Sequence, residues 1–451
     1  MTNLWTSIEN SIISFSSFLG TPLVILLIGG GLFFMIYSRF TPFRYYLRAI
    51  KSLREKEKDP TASGQISSFE ALTSAIAATV GMGSISGVAV AITMGGPGAI
   101  FWMWVSATLG MATKFFEGTL AIMYKDKDTE GELQGGAMYM ITKGLGEKWR
   151  PMAVFFSIFG LVGTLCLWQS NQLTEAITSV LSSEAAIEST FFIKLIIGVI
   201  VCLIVSIVIL GGIKKISRVS SKLVPTMVAL YFILVTYIIL TNLPEVPAVF
   251  ASIFAGAFNF EAGVGGLAGT AIIIGVRRAT LVNEAGVGTA SMMHGASKNS
   301  EPVKEGLVAM IGPSIDSGLV CTLTALAILI NSNYDMSQTQ GIEIAMSSFE
   351  KSIPGIGHYL LMFMVTIFAF STMFSYSYYG VKCTSFLFGA KYGHYYNYFF
   401  LFMLIVGAVV SLDVVVGIVD SAFALMAFPT MISMFILAPG VRREMKKYFA
   451  K

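Results

Sequence analysis

Two apolar stretches interrupted by glycine carry the residues best suited to chemistry in this sequence. One reads Thr79-Val80-Gly81-Met82-Gly83-Ser84-Ile85-Ser86-Gly87; the other reads Gly263-Val264-Gly265-Gly266-Leu267-Ala268-Gly269. Each glycine disfavours helix by about 1 kcal/mol relative to alanine. Unwound backbone persists inside a membrane only where it faces protein or a polar cavity. Such breaks can recognise a zwitterion without ionised side chains. N–H groups freed at a half-helix N-terminus receive a carboxylate, and carbonyls freed at a C-terminus receive an ammonium group or Na⁺. On this reading Met82 and Gly83 N–H groups, flanked by Thr79 and Ser84, take the carboxylate. Carbonyls and small residues around Gly263, Gly265 and Gly266 take the ammonium group. The structural alternative is close helix packing through small residues such as Gly83 and Gly87.

The elements that would position these breaks follow from composition. Of 451 residues, 55% are hydrophobic and 12% charged, about half the charged share of a soluble domain. Apolar runs of about 20 residues, each able to cross about 30 Å of hydrocarbon, recur along the chain. They predict eleven helices near 21–38, 68–93, 97–123, 151–181, 190–212, 219–241, 248–282, 304–331, 357–388, 395–416 and 417–438. Of the 30 lysines and arginines, all but Lys114, Lys194 and Lys351 then fall on one side. That side is expected to be cytoplasmic, with the N-terminus outside and the C-terminus inside. The first apolar run has no basic residue before Arg39, which favours a retained helix over a cleaved signal. The two glycine runs open the 2–6 and 7–11 blocks of spans, which enter the membrane from opposite sides. Broken helices at matching places in inverted halves point to a transporter's substrate site.

Longer strings carry a resemblance. Thr73 to Gly81, then Gly95-Gly96-Pro97-Gly98-Ala99-Ile100-Phe101-Trp102-Met103-Trp104, are similar to the alanine or glycine:cation symporter family. So are Gly110-Met111-Ala112-Thr113-Lys114, Gly135-Gly136-Ala137-Met138-Tyr139, Asn283-Glu284-Ala285-Gly286-Val287-Gly288 and Ser375-Tyr376-Ser377-Tyr378-Tyr379-Gly380. The matching segments extend from about residue 68 to 438. The resemblance implies an all-α leucine-transporter-like fold with a 5+5 inverted repeat. Residues 68–241 and 242–438 would be the repeats, 1–67 a peripheral helix and its loop, and 439–451 a basic cytoplasmic tail. It also implies uptake of alanine or glycine driven by Na⁺ or sometimes H⁺. Short loops suggest a bacterial inner membrane, and no enzyme cofactor and no nucleic acid are expected. Ser84 stands where the family commonly has asparagine, Leu165-Cys166 where it has Gly-Asn, and Pro429-Thr430 replaces Pro-Asn.

Within that resemblance Gln169, Asn171 and Gln172 of span 4 are expected to line the substrate site. Ser371 and Thr372 of span 9, with the Ala77 and Val80 carbonyls, are expected to hold Na⁺. Lys114 and Glu117, three residues apart, are expected to pair with one another. Asp316 and Asp420, which lack a local partner in sequence, could take a proton. Asn283 and Glu284 are expected to begin a cytoplasmic gate helix outside the central site. A channel would call for pore-lining rings or filter loops. An intramembrane protease of the commonest zinc type would need His-Glu-x-x-His, which is absent. A secondary transporter is the reading that remains.

Overall fold

The computed structural model describes residues 2–55, 64–185, 188–258, 267–331 and 341–450. The segments are helical because a lipid-embedded backbone must satisfy its polar groups internally. Among the described residues, eight helices are long and apolar enough to cross a membrane. Ser68–Thr79 with Gly83–Gly95 makes a ninth span, bent by 51°. Leu267–Asn283 and Tyr396–Val409, at 17 and 14 residues, stand in the places of spans 7 and 10. Each of the eleven expected spans therefore has a helical counterpart.

Several boundaries differ from expectation. The first helix runs from Thr2 to Tyr37, because its polar opening turns find support: Ser411 Oγ donates to Glu9 Oε1 at 2.8 Å. The last helix, Leu412–Ala450, continues through the expected tail. There the Arg442 guanidinium lies 5.0 Å from the Tyr37 ring, and Arg48 lies 4.7 Å from Tyr448. Span 4 is two helices, Arg150–Gly163 and Leu167–Ala185, with Cys166 between them at φ 54°. Span 8 contains a π-helical turn, Ser314–Val320, directly after Pro313.

The region expected as span 7 also divides. Val246–Ala257 packs on the first turns of span 3, where Trp102 Nε1 donates to the Ala257 carbonyl at 3.3 Å. Leu267–Asn283 is the membrane helix proper, and Gly269 lies inside it. Gly263, Gly265 and Gly266 fall outside the described residues. Past Asn283 the chain turns through Glu284, Gly286 and Gly288, all at positive φ (52°, 85° and 99°), into a short helix, Thr289–Gly295.

Spans 2 and 7 run antiparallel through the bundle. Ile66, just before span 2, bridges to Ser297, just after the short helix that follows span 7. At the other end, a Cβ on Gly95 would lie 3.1 Å from Ile274 Cβ. Midway, a Cβ on Gly83 would lie 3.5 Å from Val282 Cγ2. The interruption in span 2 thus lies against the end of the helix that leads into the turn at 284–288.

Candidate functional site: two facing helix breaks

Span 2 starts from a capping box. Ser67 Oγ accepts from the Glu70 N–H at 3.2 Å, and the Ser67 N–H donates to Glu70 Oε2 at 2.9 Å. The helix ends at Val80, whose φ and ψ of −77° and 84° turn the chain out of helix. A π-helical turn, Gly83–Gly87, restarts it. As at any helix start, the first N–H groups lack intrahelical acceptors. Met82 and Gly83 N–H groups find no other acceptor among the described residues. Thr79, Met82 and Ser84 are buried here. The Ser84 N–H donates to the Gly81 carbonyl at 3.0 Å, and the Ser84 carbonyl accepts from Thr324 Oγ1 at 2.8 Å. Glycine at 81 answers a close approach: a Cβ there would lie 2.0 Å from Thr372 Oγ1.

That approach brings span 9 against the break. Thr372 Oγ1 lies 3.1 Å and Ser371 Oγ 3.4 Å from the Ala77 carbonyl. Both hydroxyls also lie near the Phe368 carbonyl of their own helix, at 3.2 and 2.8 Å. Val80 ends the helix that carries Ala77. The donor set is hydroxyl and carbonyl oxygen, the chemistry a hard cation takes.

The three amides of span 4 divide. Asn171 Nδ2 donates to the Val410 and Gly407 carbonyls at 2.7 and 3.3 Å. Gln172 Oε1 accepts from the Ile342 N–H at 3.0 Å, and its Nε2 donates to Asn171 Oδ1 at 3.0 Å. These two, expected at the substrate, bridge helices in this structure. The Gln169 side chain is buried and has no hydrogen-bond partner among the described residues. Its neighbour Trp168 donates through Nε1 to Ser86 Oγ at 2.9 Å, which ties span 4 to the restarted half of span 2.

The 284–288 segment, expected as a gate helix remote from the centre, is the second break. Glu117 Oε1 accepts from the Gly286 N–H at 2.5 Å. Glu284 accepts from the Tyr376 and Thr289 hydroxyls. Thr430 Oγ1 donates to the Val287 carbonyl at 3.1 Å. Spans 3, 9 and 11 therefore hold this turn through side chains. The expected Lys114–Glu117 ion pair does not form within 4 Å, because Glu117 reaches the backbone of the break instead. A signal was present in the sequence: Gly286-x-Gly288 repeats the spacing of Gly81-x-Gly83.

Asp420, without a partner in its own span, pairs with Arg278 of span 7. The Arg278 guanidinium also sits 5.5 Å from the Trp168 ring. Arg278 and Asp420 border a cavity of about 320 Å³ whose walls include Val90, Ile274, Arg277 and Asp413. Trp168 thus touches both Arg278 at the cavity wall and Ser86 in the restarted half of span 2.

Residues 5–451 match the sequence profile of the Sodium:alanine symporter family. The Sodium/alanine symporter AgcS of Methanococcus maripaludis is 36% identical over 452 residues, covering 98% of this chain and 97% of that protein. The Probable sodium/glutamine symporter GlnT of Bacillus subtilis is 32% identical, covering 94% of this chain and 87% of its own length. Among solved structures, MhsT in complex with L-phenylalanine aligns with a TM-score of 0.58 over 82% of this chain and 89% of that one. At 15% identity that likeness concerns the fold alone, which is the leucine-transporter-like one.

Proposed function

The chain belongs to the sodium:alanine symporter family, and from that premise we propose that it imports a small neutral amino acid, alanine or glycine, together with Na⁺. A multi-pass membrane transporter of this family is not an enzyme, and binding followed by rearrangement is the whole of its chemistry. The carrying observation is the convergence at the break in span 2. Its Met82 and Gly83 N–H groups have no acceptor among the described residues, and the Ser371 and Thr372 hydroxyls meet the Ala77 carbonyl just before it.

In this reading the substrate carboxylate binds the Met82 and Gly83 N–H groups, with Thr79 and Ser84 beside it. Gln169 supplies a side-chain contact, and carbonyls at the facing break of span 7 take the ammonium group. Na⁺ sits among Ala77, Val80, Ser371 and Thr372. Because Ala77 and Met82 flank one break, cation and amino acid stabilise the same local backbone, which couples their binding. Alternating access follows when spans 2 and 7 tilt against the rest of the bundle. The N-terminus lies outside and the C-terminus in the cytoplasm of a bacterial inner membrane, as the lysine and arginine distribution favours.

The test is uptake of radiolabelled alanine into proteoliposomes under an inward Na⁺ gradient, with choline replacing Na⁺ as control and unlabelled amino acids as competitors. Na⁺-dependent uptake competed by alanine or glycine supports the reading; accumulation under neither Na⁺ nor H⁺ gradients by folded, inserted protein sinks it. A second reading keeps the mechanism and changes the substrate. Ser84 and Cys166, where the family commonly has asparagine, alter donors and volume near the break, so competition by glutamine would select that reading.

A further inference from the structure

Four ionisable side chains lie together between the two breaks, and binding of amino acid and Na⁺ uses none of them. Lys114 and Glu117 come from span 3, Glu284 from the span 7 break and Asp316 from the π-helical turn of span 8. All four are buried, Lys114 being 3% exposed and the three acids 0%. The π-helical turn that carries Asp316 packs against spans 3 and 7, and the Lys114 ammonium acts on all three carboxylates. Glu117 binds the Gly286 backbone, and Thr324, in the same span as Asp316, donates to the Ser84 carbonyl, so spans 3 and 8 touch the two breaks.

Three carboxylates against one ammonium would leave a formal charge of −2 where water is excluded, and an uncompensated buried charge is strongly disfavoured. On span 7 and the short helix after its break, the cationic side chains Arg278 and His294 are engaged, Arg278 with Asp420 and His294 with Glu305. The remaining titratable neighbours are the Tyr376 and Tyr379 hydroxyls facing Glu284, the Cys166 thiol facing Glu284 and the Cys321 thiol facing Asp316. None brings positive charge. Glu284 has both oxygens hydrogen-bonded, whereas Glu117 Oε2 and Asp316 Oδ2 are buried without a partner among the described residues. A proton neutralises a carboxylate in place.

We propose that Glu117 and Asp316, gathered around Lys114, form a proton-binding site that joins the two helix breaks. The site holds protons while the breaks pack as they do here. It gives them to water when the span 7 break moves and the carboxylates hydrate. For this consequence, though not for the protonation itself, the proposal rests on the transport reading above.

The test is infrared spectroscopy of the full-length protein in lipid at neutral pH, where exposed carboxyl groups are ionised and only protonated ones give a carboxylic C=O stretch. The wild type is expected to show that band. Asp316→Asn and Glu117→Gln, which mimic the neutral acid, are expected each to lose part of it. Lys114→Met removes the one countercharge and is expected to enlarge it, so variants with opposite expected signs guard against a single misfolded protein. No band in the wild type, or a band unchanged in the folded variants, overturns the proposal. In proteoliposomes at equal internal and external pH, Na⁺-driven uptake should vary with pH and lose that dependence in Asp316→Asn. Absence of uptake at every pH would instead count against the transport reading and leave the infrared result standing.

Discussion

Thr372 donates its hydroxyl hydrogen to the Ala77 carbonyl at 3.1 Å, joining span 9 to the last turn before the break in span 2. Ser371 makes the same approach at 3.4 Å. Two adjacent hydroxyls on one helix therefore converge on a carbonyl of another, an arrangement in which a cation could replace the hydrogen bonds with coordination.

Removing either hydroxyl should weaken Na⁺ activation more than maximal rate. A lost oxygen ligand of about 1.4 kcal/mol raises the half-activating Na⁺ concentration about tenfold. Ser371→Ala and Thr372→Ala are expected to shift by about that factor, and Thr372→Ser, which keeps the hydroxyl, by much less. Initial uptake rates measured against Na⁺ concentration check this.

Gly81 should tolerate no side chain. A Cβ there would sit 2.0 Å from Thr372 Oγ1, whereas one on Gly87 would meet nothing nearer than Leu281 Cδ2 at 3.9 Å. Gly81→Ala is expected to abolish uptake, and Gly87→Ala to keep most of it, at equal amounts of inserted protein.

Much of this was legible in the sequence, and the parts that were not share a cause. Eleven apolar runs and the break at Gly81–Gly83 announce themselves by local composition, whereas the Ser371–Thr372 pair stood out only through the family resemblance. The second break did not, because glycine density drew attention to 263–269. The break after Asn283 uses only Gly286 and Gly288, with Glu284 itself at positive φ. Lys114 and Glu117 look paired from spacing alone, yet the backbone of a distant segment outcompetes the neighbouring lysine. The partner of Asp420 lies 142 positions away in Arg278, a relation that no local pattern contains.

The Arg278–Asp420 pair should be sensitive to loss of either member. Removing one partner of a buried pair leaves the other uncompensated, at a cost of about 3–5 kcal/mol. Arg278→Gln and Asp420→Asn are each expected to lower the thermal unfolding midpoint in detergent clearly. The double neutral variant should recover most of the loss, because no unpaired charge then remains.

Lys125, in the loop after span 3, gives a pH dependence whose sign can be worked out. Its ammonium donates to the Ser297 carbonyl at 2.6 Å, and burial lowers its pKa from 10.5 to about 8, partly opposed by Glu305. Between those values the unfolded chain binds more protons at this residue than the folded one, so its contribution to stability rises with pH. Below about pH 8 the lysine is charged in both states, and its burial opposes folding. Wild type minus Lys125→Met, compared by thermal unfolding across that window, should show a difference that moves in favour of the wild type as pH rises.

The most direct measurement of the central claim is equilibrium binding of labelled alanine to the purified protein, in Na⁺ and in choline, for the wild type and Thr372→Ala. One break that serves both ligands requires alanine to bind tightly only with Na⁺, and the variant to need about tenfold more Na⁺ for the same occupancy. Alanine binding equally well in choline, or a variant with an unchanged Na⁺ requirement, would contradict a shared site at Ala77–Ser84.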